Sequence, residues 1–261
     1  MEASNARTAE PYPRAENPMT SSAQLVYPDD QTGWLARTRV TLSPMAAPSI
    51  LGFFGLFVAA VMVGAWQAGW YGTDATPAVL WPLVMLFGGL AQLVAGFAAL
   101  RARDAVAVAL HGTWGAFWLA WGVLQILVAT GVNSAIAIGS ADTGLAFWFL
   151  AVGAVTLLTA LAAIPYHLGF AAVAWTLTAA AGLSAAGFWA GDLNTTRAGG
   201  VLFVIAAAIA WLVAGAMVFE GATGRTVLPS GRLAKGASIP GRSAIQPLEF
   251  SAGEPGVRIG Q

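Results

Sequence analysis

Cysteine is missing from the 261-residue chain. Disulfides, thiolate nucleophiles and cysteine-based metal sites are therefore excluded. Charge is scarce too: 9% of the residues are Asp, Glu, Lys or Arg, against about 25% in an ordinary soluble domain. The single lysine, Lys235, stands in a polar terminal stretch, so a retinal-type Schiff base within an apolar span has no amine to use. Histidine occurs as His111 and His167, and no group of His, Asp and Glu has metal-ligand spacing. No metal or cofactor is expected. A net charge of zero offers no basic footprint for nucleic acid. What the chain does have is apolar residues, 57% of the total, with a mean hydropathy of +0.70. That balance specifies an integral membrane protein.

Residues 1–47 are rich in Pro, Ser, Thr and charge, and hold no apolar run suited to a signal peptide. They read as a disordered cytoplasmic tail. Residues 223–261 are similar, with five basic residues, and read as a second cytoplasmic tail. Neither tail shows a catalytic motif. Between them, 48–222 form a transmembrane domain. A hydrocarbon core of about 30 Å takes about 20 apolar residues, and such stretches fall at about 48–68, 79–100, 105–130, 144–164, 168–190 and 198–220. The turn and charge signals "GWYGTDATP", "RARD", "TGVNSAIAIGSADTG", "IPYH" and "GDLNTTR" separate them. The expected fold is all-α: a bundle of six transmembrane helices with both termini cytoplasmic. With the N-terminus inside, eleven basic residues fall in cytoplasmic segments and only Arg197 falls outside, as the positive-inside rule requires. Trp66, Trp70, Tyr71 and Trp81 then mark the outer headgroup level. A multi-pass protein of the plasma membrane is expected.

Within the second stretch, "GGLAQLVAG" carries one amide, Gln92, among residues without polar side chains. Gln92 is nine residues from Arg101, so it lies roughly 13 Å deep. An amide facing lipid there costs several kcal/mol. Gln92 therefore faces protein or a water-filled path: it is either interhelical glue, worth about 0.6 kcal/mol, or pore lining and support. In the third stretch, "LHGTWGAFWLAWGVLQI" sets His111, Trp114, Trp118, Trp121 and Gln125 at steps of 3, 4, 3 and 4, on one helical face. Aromatic stripes more often pack than touch solute. His111 adds weight to function, because an ionisable group inside a membrane is a functional candidate. It is the one side chain in the spans whose unperturbed pKa, about 6.5, lies near physiological pH. Two turns from the inner edge, it could also sit in an aqueous vestibule.

The segment "FGGLAQLVAGFAALRARDAVAVALHGTWGAFWL" resembles the second and third helices of the acetate uptake transporters, also called succinate–acetate permeases. Members commonly read GG-x-AQ-x-x-AG, a short basic loop, then S-Y-G-x-FWL. "GRTVLPSG", 224–231, is similar to the tail after that family's sixth helix. "SPMAAPSIL" is a looser counterpart of the family's N-P-A-P-L-G-L start, with Pro48 at the second proline and the Asn missing. The resemblance covers about residues 44–231.

This resemblance implies a six-helix protomer in a homo-hexamer, each protomer passing small monocarboxylates such as acetate and, in some members, succinate. It implies a hydrophobic constriction formed by Phe54, Trp114 and Leu177, with Phe53 in the first role if the match slips by one. Trp114 stands where the family usually has Tyr, which removes a hydroxyl and adds bulk. Polar lining or support would come from Gln92, His111, Thr113, Thr176 and Thr178. The midplane has no Lys, Arg, Asp or Glu, which suits conduction through weak sites and an apolar constriction. The partners expected are a small carboxylate substrate and the bilayer. An enzyme is not expected, because Gln92 and His111 are too thin a set for catalysis at depth. A channel for a small neutral solute, urea or a short amide, is the nearest rival reading. A structural membrane protein of the same fold is a further one.

Overall fold

The computed structural model describes residues 46–73, 75–131 and 140–233. Most of both expected tails, 1–45 and 234–261, lies outside the described residues. Among the described residues, six helices are long and apolar enough to cross a membrane, as the sequence predicts. They are α1 (Ser49–Gln67), α2 (Pro77–Ala102), α3 (Ala105–Ala129), α4 (Ser140–Ala163), α5 (Leu168–Ala190) and α6 (Leu193–Thr223).

Two starts differ from expectation. The segment "GDLNTTR" reads as an extended break, yet α6 begins at Leu193. Gly191, at φ +64°, ends α5, and the Asp192 carboxylate accepts from the N–H groups of Asn194 (3.1 Å) and Thr195 (3.2 Å). One glycine and one cap thus turn the chain within two residues. These hydrogen bonds, led by that from the Thr195 hydroxyl, hold the Asp192 carboxyl below its ordinary range. The fourth helix likewise starts at Ser140 rather than 144. The α2–α3 turn is equally short: Arg103 adopts φ +57°, and Asp104 caps α3 through Ala107 N–H (2.9 Å).

The second span is not uniform. Its middle third, Val84–Ala91, is π-helical, with i→i+5 bonding in place of i→i+4. Pro82 lies just before it. Pro82 has no N–H to donate, so it weakens the α-register where the change begins.

Each helix packs on its chain neighbours, and α6 returns to α1, which closes the ring. The contacts are close because the meeting residues are small. A Cβ added to Gly200 would meet Ala68 N at 2.5 Å and Gly64 O at 2.7 Å, so α1 and α6 touch backbone to backbone there. Gln67 Nε2 ties three helices together at this end, donating to Ser184 Oγ (2.8 Å) and to Thr196 O (2.9 Å). Nearby, Trp66 Nε1 donates to Thr73 O (3.1 Å) and the Tyr71 hydroxyl to Met62 O (2.8 Å). Partial burial pushes the Tyr71 phenol upward.

The opposite end holds the start of α1, the α2–α3 and α4–α5 turns and the residues after α6. It carries Arg101, Arg103, Arg225 and Arg232, and is called the basic end below. The first residues of the expected C-terminal tail are ordered here. Gly224, at φ +67°, ends α6, and the chain folds back as a strap, 224–233, against the start of α5. Leu168 N–H donates to Gly231 O (2.8 Å) and Leu233 N–H to Tyr166 O (2.9 Å), so His167 and Arg232 form an antiparallel bridge. Ser230 is buried under it.

Candidate functional site

The predicted stripe on α3 faces the bundle interior. His111, Trp114, Trp118 and Trp121 are all buried, and Gln125 is half-buried. Glycines on α1 and α2 make room for the large side chains. A Cβ on Gly52 would overlap the His111 ring, and one on Gly88 would lie 2.8 Å from the Trp118 indole. One turn along α1 from Gly52, a Cβ on Gly55 would lie 3.4 Å from Gln92 Cγ. His111 and Gln92 therefore flank successive glycines of the same helix.

His111 is fully buried, not in an open vestibule. Its ring packs edge-on against Phe53 (centroids 5.1 Å apart) and Phe170 (5.9 Å), and Phe53 and Phe170 meet at 4.7 Å. Neither ring nitrogen has a hydrogen-bond partner. Gln92 is also fully buried. Its Nε2 donates to Gly88 O of its own helix (2.9 Å), inside the π segment. Because Gly88 O can only accept, the atom facing it is the amide nitrogen, and the free atom is Oε1. Oε1 has no partner, and neither does Trp118 Nε1. The amide thus does not reach a neighbouring helix; Gln67, at the end of α1, makes that kind of tie instead. A polar side chain closing an apolar run was the available signal for Gln67.

Trp114 is fully buried among Phe117, Trp118 and Phe203. Its Nε1 donates to Thr156 Oγ1 (3.2 Å), which in turn donates to Val152 O (2.6 Å). Thr156 and Phe170 carry no distinguishing sequence signal, since Thr156 and Thr159 are small hydroxyls in an apolar run and Phe170 is one apolar residue among others. Leu177 is fully buried and so lies away from lipid. Of the two adjacent rings on α1, Phe53 is fully buried, whereas Phe54 is half-buried at the edge of the core. Thr113, Thr176 and Thr178 are half-buried. The Thr176 and Thr178 hydroxyls donate to Ala172 O and Ala174 O of their own helix (2.8 Å each).

Buried polar atoms in native proteins nearly always have a partner. Here Gln92 Oε1, both His111 nitrogens and Trp118 Nε1 lack one, on adjoining turns of two packed helices. No Asp, Glu, Lys or Arg is buried among the described residues, and no group of three or more His, Asp and Glu there could hold a metal. Such an arrangement can give and take single hydrogen bonds with water or a small polar solute, with no fixed charge to trap it.

The GPR1/FUN34/yaaH family model matches residues 35–235. Ammonia transport outward protein 2 of Saccharomyces cerevisiae is 30% identical over 168 residues, which are 64% of this chain and 59% of the yeast protein. The chain thus spans about three-fifths of that curated relative. An uncharacterized protein of Methanothermobacter thermautotrophicus is 25% identical over 202 residues, 75% of this chain and 97% of its own length. Among solved structures, the bacterial acetate channel SatP shares the fold, with a TM-score of 0.65 at 24% identity over 72% of this chain and 99% of the channel. With a family match that spans all six helices, and a fold built of membrane-length helices, the chain belongs to the GPR1/FUN34/yaaH family, the multi-pass acetate uptake transporters that its second and third helices resemble.

Proposed function

We propose that the chain conducts small monocarboxylates, acetate first, along the interior of each protomer. The observation that carries this reading is the string of unpartnered polar atoms on Gln92, His111 and Trp118 inside a core free of buried charge. A carboxylate passing such sites accepts single hydrogen bonds from a His111 N–H and from Trp118 Nε1–H, while Gln92 Oε1, an acceptor, is left to water, and with no fixed charge beside it the anion is not held. The acetate channel that shares the fold supports the choice of solute. The apolar narrowing is assigned to Trp114, Leu177 and the α1 phenylalanine pair, with Phe53 as the buried ring. Thr113, Thr176 and Thr178 line or support it at its edge. Succinate is the larger acid to test. A homo-hexamer would cover part of the apolar face that α2 exposes at Leu86, Phe87, Leu90, Phe97 and Leu100. The positive-inside rule places the basic end in the cytoplasm.

Two outcomes are expected from variants. Leu177→Ala opens space at the narrowing, so flux of propionate and succinate should rise relative to acetate. Equal ratios in wild type and variant would remove Leu177 from the narrowing. Gln92→Leu should cost under about 1 kcal/mol of stability, because its one bond is to its own helix, while acetate flux changes. A lowered melting temperature with unchanged flux would make Gln92 a packing residue.

A second reading is a neutral solute: urea, a short amide or ammonia. The free Gln92 Oε1 accepts from N–H groups, and the name of the yeast relative points to ammonia. Uptake of labelled acetate, urea and methylammonium into proteoliposomes holding the full chain decides between them. Acetate uptake above that of empty liposomes supports the first reading; uptake of urea or methylammonium alone supports the second.

A further inference from the structure

We propose that His167 and Arg232 form a carboxylate-binding site at the basic end, half of which is delivered by the strap after α6. This deepens the proposed transport of carboxylates and rests on it. The argument begins with hydrogen-bond bookkeeping. His167 is buried and caps α5, its Nδ1 accepting from Phe170 N–H (3.2 Å). An Nδ1 that accepts carries no proton, so in the neutral ring the proton is on Nε2. Nε2 is buried and has no acceptor. Arg232 donates from Nη1 to Glu220 Oε1 (3.3 Å), while its Nε–H is buried, also without an acceptor.

These two donors belong to residues that face each other in the antiparallel bridge. Side chains directly opposite in such a pair lie on the same face, with Cβ atoms about 5 Å apart. Two N–H groups lacking acceptors, on side chains that share one face, match the two oxygens of one carboxylate. The pair is also placed on the way in. The His167 ring lies 6.1 Å from Phe170, and Phe170 lies 5.9 Å from His111. The site thus stands at the mouth, one ring removed from the buried polar string. Glu220 keeps it weak by neutralising Arg232, which is what a conducting protein requires of an entry site.

The test measures acetate flux against concentration in proteoliposomes of the full chain, for wild type, Arg232→Gln and Glu220→Gln. Both variants break the Arg232–Glu220 pair. If that pair only holds the strap, both move the half-saturating concentration in the same direction. If Arg232 binds acetate, the directions are opposite: about tenfold higher in Arg232→Gln, since tenfold corresponds to the loss of one charge-assisted bond, and lower in Glu220→Gln. Equal or parallel changes overturn the proposal and leave water as the acceptor. Line broadening of 13C-acetate by the protein in nanodiscs is read beside flux. Wild-type protein that broadens the line while Arg232→Gln does not keeps the site even if no acetate crosses. Equal broadening by both ends the proposal without touching the transport reading.

Discussion

Gly52→Ala is expected to lower acetate flux at least tenfold while the protein still folds. The added methyl would overlap the His111 ring, and that ring has little room to give way because Phe53 and Phe170 pack against it. Overpacking of this kind costs about 1–3 kcal/mol, a fall in melting temperature of about 2–12 °C for a chain of this size. The flux effect is larger because the displaced imidazole moves into the proposed solute path. Two companions make the test sharp. Gly182→Ala meets nothing within 4 Å and should match wild type in both measurements. Gly52→Ala combined with His111→Ala removes the overlap and should restore folding stability toward that of His111→Ala alone. A double variant as unstable as the sum of the two singles would show that the overlap is not the cause.

Acidification is expected to loosen the strap. Burial, reinforced by the Arg232 guanidinium, lowers the His167 pKa from 6.5 to about 4, while a backbone hydrogen bond and Glu220 oppose the shift. The docked strap therefore favours the neutral ring. With the strap released, the ring returns toward its ordinary value. The contribution to docking is fully present above pH 6.5 and is lost as pH falls from 6.5 toward 4. At pH 5 this amounts to roughly 2 kcal/mol, about thirtyfold in the docking equilibrium. Arg232 and Glu220 are the charged groups that face the ring. Hydrogen exchange at the Leu168 and Leu233 amides, corrected for the intrinsic pH dependence, reads the docking directly, since both amides bond across the bridge. His167→Asn retains a capping side chain without a titrating ring and should flatten the profile. Protection that is constant between pH 5 and 7.5 in wild type would dismiss His167 as the sensor.

The six spans could be read from the sequence because length and hydropathy alone decide what crosses a hydrocarbon core. The inward stripe of α3 was legible for a different reason. Tryptophan and histidine at steps of three and four mark one face even where every neighbour is apolar. Which of Phe53 and Phe54 is the more buried was not legible. In a helix apolar all round, adjacent rings differ only in the rotation of the helix, and no polar face sets that rotation. Gln67, Ser184 and Thr196 meet across more than a hundred residues, so no local pattern reports them. The strap was hidden in a segment whose composition reads as tail. Its docking depends on a few backbone bonds and on glycines close enough to touch, Gly169 and Gly231 among them.

The π segment of α2 changes how that helix tolerates insertions and deletions. Widening from an i→i+4 to an i→i+5 register is equivalent to accommodating one residue more than a plain α-helix of the same rise would hold. The halves before and after Val84–Ala91 thus keep a common rotational phase although one residue more lies between them. Met85 and Gly89 inside the segment meet Gly122 and Leu119, and Gly96 beyond it meets Gly112, all on the same neighbouring helix. Deleting a single residue within 84–91 would let the helix relax to a uniform α-register. With the surplus gone, the flanking halves would keep their faces, whereas the same deletion in the α-helical part after Ala91 would turn one half by about 100° about the helix axis. The surplus residue therefore makes 84–91 a stretch of α2 where one residue can be lost without turning the rest of the helix.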